Sequence, residues 1–242
     1  MLRLSPLPNY QLIISQRSDG SVESATQTKL LLQQTLTAGS ESTPSPSICY
    51  FHHHHQAERF ILTKQPRTDL LEVWADAVIS HQPVFLAMRV ADCFPIAITV
   101  KNSPVFALIH AGWKPLLQSI IQLTLIDLQL HFQIKLRDIL VWIGPGIGPC
   151  CYKFAHEPVQ AQLHSWQDHV QKISSQDSSN KWSIDLAGFA TDELIRLGVG
   201  QNSIINYQTC TACLSDSLFS HYQAQARLQK PGRMMIALGP KT

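Results

Sequence analysis

The sequence holds no uninterrupted apolar run of the roughly 18 residues that a membrane-crossing helix needs, so no helical span and no membrane partner are expected. It holds no block of clustered Lys and Arg either. Its 19 basic and 17 acidic side chains leave a net charge of +2, which offers nucleic acid no electrostatic footprint. Charged residues are scarce at 15% while apolar residues reach 45%, so most of the chain is available for an interior. The opening residues, MLRLSPLPNYQLIISQ, lack the apolar centre and small-residue cleavage site of an export signal, and a cytoplasmic protein is expected. Neither G-x-G-x-x-G nor G-x-x-x-x-G-K-[ST] is present, which removes the two standard nucleotide loops. Disulfides are not required: a chain of 242 residues can bury a core without them, and its six cysteines are expected to be reduced.

What is present reads as short strands mixed with a few helices. YQLIIS (10–15), ICYFHHHH (48–55), RFILTK (59–64), VFLAMRV (84–90), PIAITV (95–100), VFALIH (105–110), SIINY (203–207) and GRMMIAL (232–238) have strand composition. ILVWIGPGIGPCC (139–151) is a strand running into a Gly/Pro turn. ESATQTKLLLQQTL (23–36) and DLAGFATDELIRLGV (185–199) have helical spacing, the second with Asp185 as N-cap. PLLQSIIQLTLIDLQLHF (115–132) predicts one helix with Pro115 at its first position and an apolar stripe through Leu116, Ile120, Ile121 and Leu125. DLLEVWADAVIS (69–80) fits helix or strand, while 37–47 and 174–181 read as loops. No regular βαβ alternation is visible, which favours an α+β fold over a doubly wound parallel sheet.

One apolar stretch breaks its own pattern. In RVADCFPIAI (89–98), Asp92, Cys93 and Pro95 fall within four positions, flanked by VFLAM and IAITV. Pro cannot donate to a sheet ladder, so Asp92 and Cys93 are expected on a break between two strands. His110 lies 17 residues beyond Cys93, at the far end of a hairpin-like unit. Together these two residues suit a thiolate–imidazole pair for nucleophilic attack, or two ligands of a zinc ion, or simply a buried thiol and a satisfied core histidine. The run His52–His55 offers a further ligand; if extended, it turns at most two rings inward. GWKPL brings Lys114 beside a glycine ahead of a helix, a plain turn or an anion contact. CTAC, Cys210–Cys213, is a lone C-x-x-C. With Cys150 and Cys151 it suggests an all-thiolate zinc site, against which the adjacency of the latter two counts.

Taken in order, ADAVIS, VADCFPIAI, IHAGWKPL, IGPGIGPCCY, SIDL and CTAC…LFSHY…PGRMMIAL resemble the laccase-domain (YfiH-type) family. That family was first labelled polyphenol oxidoreductase and is now assigned purine nucleoside phosphorylase activity. The resemblance implies a single domain over residues 1–242, an α+β four-layer α/β/β/α sandwich with mixed sheets. It implies zinc rather than copper, held by His55, Cys93 and His110. His53 is the second choice for the first ligand, because the family's Q-x-H-G block is altered here to HHHHQAERF. Multi-copper chemistry would need many histidines in paired motifs, and only His52–His55 cluster. By the same resemblance Cys93, His110 and Asp92 are catalytic, Asp92 as a supporting or substrate-orienting carboxylate beside a break set by Pro95. Arg17 (in SQRSDGS, similar to the family's STRxGGxS), Asp76, Trp113 and Lys114 are expected to contact substrate or phosphate.

The implied reaction is phosphorolysis of adenosine, inosine or methylthioadenosine, with adenosine deamination as a second activity. The implied partners are a small-molecule purine nucleoside and phosphate, in a monomer or small homo-oligomer. Alternatives are a metal- or Cys-dependent hydrolase of the peptidoglycan-precursor editing type, and a divergent member that binds ligand without turnover. The departures concern charge. The family's GWRG is GWKP, GPCIGPCCYE is GPGIGPCCYK, and FFSYRRDG is LFSHYQAQ, so Tyr222 and Gln223 stand where two arginines are usual. Phosphate binding is expected to be weakened accordingly.

Overall fold

The computed structural model of the chain describes residues 2–4, 9–37, 46–154, 169–173 and 181–241. Most of the loop expected at 37–47, and all but the last residue of the one at 174–181, lie outside them. Six strands form a mixed sheet in the order β1 (Leu2–Leu4), β2 (Tyr10–Ile14), β15 (Met234–Pro240), β7 (Phe85–Val90), β3 (Ile48–His52) and β5 (Leu70–Trp74). A second six-stranded mixed sheet runs β14 (Ile204–Asn206), β10 (Ile139–Ile143), β8 (Phe94–Val100), β9 (Phe106–Ala111), β6 (Ala77–Ser80) and β4 (Arg59–Leu62). A small antiparallel sheet joins β11 (Lys153–Phe154), β13 (Lys181–Ile184) and β12 (Val170–Ile173). The helices are α1 (Ala25–Thr37), α2 (Trp113–Leu117), α3 (Ile120–Phe132), α4 (Leu186–Arg196) and α5 (His221–Ala226).

Side-chain alternation builds the layers. Along β7, Leu86, Met88 and Val90 meet Ala97, Leu108 and Trp142 of the second sheet, while Phe85 and Ala87 face Ala25 and Leu32 around α1. Along β8, Ile96 and Ile98 point the other way, onto Leu116, Ile121, Leu125 and Leu194 of the helices. The order is therefore α1, first sheet, second sheet, then α2 to α4: a four-layer α+β sandwich, as the motifs implied. Both faces of each sheet are apolar because both are covered, so β8 is buried at all seven positions. Each large aliphatic side chain buried there contributes about 1.5–3 kcal/mol.

Three local expectations change. Residues 69–80 form neither one helix nor one strand: β5 and β6 belong to different sheets, and the chain crosses between layers at Ala75–Asp76. The helix expected over 115–132 is two, because Ser119 takes a left-handed φ of 60° between α2 and α3. α2 starts at Trp113, which makes Pro115 its third residue, still within the first turn where amide N–H groups need no helical acceptor. The break between β7 and β8 is set by Asp92, whose φ is 81°; Pro95 sits inside β8 opposite His110 of β9. β1 and α5 carried no periodic signal long enough to be read from sequence.

Candidate metal centre

The site lies where the carboxyl end of β9, the start of β8 and the chain leaving β3 meet. In the antiparallel β8–β9 register Phe94 faces Ala111 and Pro95 faces His110. Cys93, one residue earlier, is thereby brought opposite Gly112, at the same sheet end as His110. Contact is so close that a Cβ on Gly112 would stand 3.0 Å from Cys93 Sγ and 3.5 Å from His110 Cε1. A side chain at 112 would press on the Cys93 thiol, and glycine avoids that crowding.

The histidine run divides as period-two alternation dictates. His52 turns outward to Glu72 (2.7 Å), stacked on Trp74, and His54 turns outward to Glu58 (3.0 Å). His53 and His55 turn inward. One ring nitrogen from each of His53, His55 and His110 lies within 4.8 Å of those of the other two, and the His53 ring stacks on His110 at 3.9 Å between centroids. A left-handed His55 (φ 64°) bends the chain here and aims its ring. Cys93 Sγ is within side-chain interaction reach of both His110 and His55. The three histidines form an all-nitrogen triad, and the sulfur-containing set Cys93, His55 and His110 that the motifs implied shares two of its members.

Asp76 organises them. Its Oδ1 receives the His110 ring Nδ1 at 3.0 Å and the His55 amide at 3.1 Å; its Oδ2 receives the Gln56 amide at 2.8 Å. Burial acts to raise the Asp76 pKa, but the His110 ring and the two amides outweigh it and hold the pKa down at about 2. An ionised carboxylate only accepts, so Nδ1 of His110 carries the proton and Nε2 is aimed at the cavity. Nε2 of His110 and Nδ1 of His53 are buried without a hydrogen-bond partner among the described residues. Burial acts to lower the His110 pKa; Cys93 and Asp76 overcome it and raise the pKa to about 9. Burial acts to raise the Cys93 pKa, and His110 with His55 brings it down to about 6. His53 is pushed down to about 2 by burial, then by the charges of its two histidine neighbours. An orphaned imidazole nitrogen, an acidified thiol and a histidine that stays neutral are the donor set of a borderline-soft transition metal, and the residues present fit one.

The cavity above these groups has a volume of about 350 Å³. Its walls include Val90, Ile147 and Leu186, the rings of Trp113, Tyr152 and Tyr222, and Arg233, the one Lys or Arg among the described residues lining it. Asp92 also reaches this wall, but its carboxylate is occupied: Oδ1 accepts from the Thr211 hydroxyl (2.6 Å) and Oδ2 from the Tyr222 amide (2.7 Å). Asp76 is fully buried beneath the ligands and is not part of the wall; both its oxygens are turned to His110 and the 55–56 backbone. Arg17 donates to the Ser215 carbonyl (3.2 Å) and lies over the Phe219 ring, bracing the segment that leads into α5. Lys114 lies over the Trp113 ring, and neither cation lines the cavity. Sequence reasoning did not single out Arg233, His53 as an equal of His55, or Tyr152. An arginine ahead of an apolar strand looks like any surface arginine until β15 is placed in the middle of the first sheet.

A family model described as multi-copper polyphenol oxidoreductase laccase matches residues 22–240. The chain is 28% identical over 192 residues to purine nucleoside phosphorylase YlmD of Geobacillus stearothermophilus, covering 76% of this chain and 69% of that one. It is 30% identical over 177 residues to human purine nucleoside phosphorylase LACC1, covering 69% of this chain but 38% of the relative. Against Haemophilus influenzae purine nucleoside phosphorylase the match spans 66% of this chain and 62% of the relative, at 30% identity. The chain thus spans less than two thirds of several curated relatives. Among solved structures, that of Geobacillus stearothermophilus YlmD shares the fold with a TM-score of 0.78 at 22% identity, over 99% of this chain and 94% of that one. Bacillus licheniformis hypothetical protein YfiH does so with a TM-score of 0.74 at 21% identity, over 90% and 80%.

Proposed function

The chain belongs to the multi-copper polyphenol oxidoreductase laccase family, and we propose that it is a zinc-dependent purine nucleoside phosphorylase acting on adenosine, inosine or methylthioadenosine. The observation that carries this reading is the cluster of His53, His55 and His110 with Cys93 against the latter two, His110 tethered by Asp76, at the floor of a cavity that also presents Arg233. The names of the curated relatives supply the substrate class.

In this reading Cys93, His55 and His110 hold the ion, and His53 flanks it through its stack on His110. A thiolate with imidazoles suits zinc, and His53, His55 and His110 are the only histidine cluster of that kind among the described residues. When bound, the ion supplies Lewis-acid polarisation of the substrate atom it meets. Everything else comes from the chain. Asp76 accepts from Nδ1 of His110 and so turns Nε2 toward the cavity, where its lone pair becomes available when the ring gives up its second proton, as it must on binding a metal. The rings of Trp113, Tyr152 and Tyr222 offer flat apolar surface to a purine. Asp92 holds the Tyr222 amide and the Thr211 hydroxyl and so keeps α5 against the cavity. Arg233 takes the phosphate, in place of Arg17 and Lys114, which face elsewhere. A guanidinium donates through two parallel N–H groups to phosphate oxygens and so holds the anionic nucleophile beneath a sugar that turns positive as the base departs with the electron pair of the broken bond.

The test is incubation of zinc-loaded protein with each nucleoside, with and without phosphate. Phosphate-dependent release of free base is expected; its absence for all of them ends this reading. Inosine formed from adenosine without phosphate would reveal the deaminase activity. A hydrolase reading has one specific observation in its favour, the thiol of Cys93 acidified by His110. It requires that Cys93→Ser abolish turnover while leaving bound metal unchanged.

A further inference from the structure

Away from the cavity floor, a second group of sulfurs meets. Cys150, Cys151, Cys210 and Cys213 place their Sγ atoms all within 4.8 Å of one another. Cys213 Sγ lies 3.4 Å from that of Cys150 and 3.5 Å from that of Cys151. Four sulfurs at about 2.3 Å from one zinc ion would stand about 3.8 Å apart, the same scale. All four thiols are free, and Cys150 and Cys213 are exposed, so an ion can reach them.

The backbone explains how adjacent cysteines can share a centre. After Gly148 the chain makes a helix-like turn, with the Cys151 and Tyr152 amides both donating to the Gly148 carbonyl (3.0 and 2.9 Å). Consecutive side chains on such a turn diverge by about 100° rather than the near 180° of a strand, so both can lean to one side. Cys210 and Cys213 sit on a second turn closed by the Leu214 amide on the Cys210 carbonyl (3.1 Å), which puts positions three apart on one face. The turns are clamped together: Gly146 donates to the Thr209 carbonyl, the Thr211 amide donates to the Gly146 carbonyl, and the Gly148 amide donates to Cys210 Sγ at 3.2 Å. A Cβ on Gly148 would stand 3.2 Å from Cys210 Cβ and 3.3 Å from Cys150 Sγ. The glycine allows the approach.

We infer that Cys150, Cys151, Cys210 and Cys213 form a second, structural metal site of tetrathiolate type, suited to zinc and separate from the His/Cys centre. Its task is bracing. Thr211, between the two cysteines of one turn, donates its hydroxyl to Asp92, and the Ile147 amide on the other segment donates to the Asp92 carbonyl (2.8 Å). An ion across the two turns locks both supports of the residue whose left-handed φ shapes the start of β8. Binding replaces four thiol protons by one divalent ion, so it weakens as pH falls.

The experiment is metal analysis of full-length protein purified anaerobically, followed by cobalt(II) titration. Two equivalents of zinc per chain are expected. His110→Ala should keep one, and when loaded with cobalt(II) should show the intense charge-transfer band of several thiolate ligands. Cys150→Ser/Cys213→Ser should lose that band and one equivalent. Should this variant fail to fold, thiol reactivity of the unmutated chain decides: zinc should protect four thiols from alkylation, and a chelator should expose them. The inference is overturned if His110→Ala binds no metal, if zinc leaves these thiols equally reactive, or if two of them are disulfide-bonded in the anaerobic protein. Because His110→Ala reads the second site alone, failure of the phosphorylase reading leaves this outcome untouched.

Discussion

The two donor clusters are built on opposite plans. The His/Cys centre is partly buried, gathered at the ends of sheet strands around the buried His110, and oriented by Asp76, whose carboxylate makes three hydrogen bonds to the ligand framework. The thiol cluster is half exposed, carried on two turns, and met by the Gly148 amide, which donates to Cys210 Sγ. The first is arranged before any ion arrives, as a site that does chemistry must be. The second rests on the backbone hydrogen bonds that clamp its two turns, and the proposed ion would add to them. Two buried carboxylates repeat the contrast. Asp76, surrounded by donors, is held down at about 2, while Glu193 on α4 leaves Oε2 without a partner among the described residues and is pushed up to about 7 by burial against the weaker pull of Arg196.

The largest expected effect tests whether the buried centre is arranged by Asp76. Asp76→Asn should weaken metal binding by about 10–100-fold, read by competition with a chelator, and should leave the thiol cluster's metal in place. Equal loss at both clusters would erase the distinction between them. Replacing His55, which is common to both triads, should remove the metal of that centre. His53→Ala should retain it, because Cys93, His55 and His110 remain; metal analysis of the two variants separates the sulfur-containing triad from the all-nitrogen one. Arg233→Ala should raise the KM for phosphate by about tenfold or more with metal content unchanged, in line with about 1.5–3 kcal/mol for a hydrogen bond to a charged group.

The Glu193 contrast has a definite sign. Its folded pKa lies above the unfolded value near 4.5, so its favourable contribution is complete below that value and is lost as pH rises through about 7. Urea unfolding should show stability falling by about 1–3 kcal/mol across this window. Glu193→Gln should remove that slope; an unchanged slope would assign it to other groups. The smallest effect belongs to the outward histidines. His52→Ala and His54→Ala break partly exposed pairs with Glu72 and Glu58, should cost about 0–1 kcal/mol each, and should spare both metals.

Much of this was visible before any coordinates. Pattern and turn residues located most of the strands and the capped α4. Parity along the histidine run limited the inward rings to two, and those proved to be His53 and His55. The pairing of Cys93 with His110 could not be settled by spacing, since hairpin ends can fall together or apart; the register of β8 on β9 is a property of two strands at once. Asp76 read as a substrate contact because nothing local distinguishes an acid that faces a cavity from one that lies beneath it. The adjacency of Cys150 and Cys151 counted against a shared centre, and only the helix-like turn after Gly148 shows both sulfurs beside that of Cys213.

Local chemistry along the chain was enough to specify which residue types are available: a thiol at a strand break, imidazoles in alternation, glycines where backbones must approach. It also specified most of the longer strands, because apolar periodicity is a short-range property. Which donors share a point was settled by long-range packing, the stacking of two sheets and the docking of residues 209–222 against residues 92 and 146–148. Distances between residues remote in sequence depend on every layer between them, and no local pattern encodes that sum.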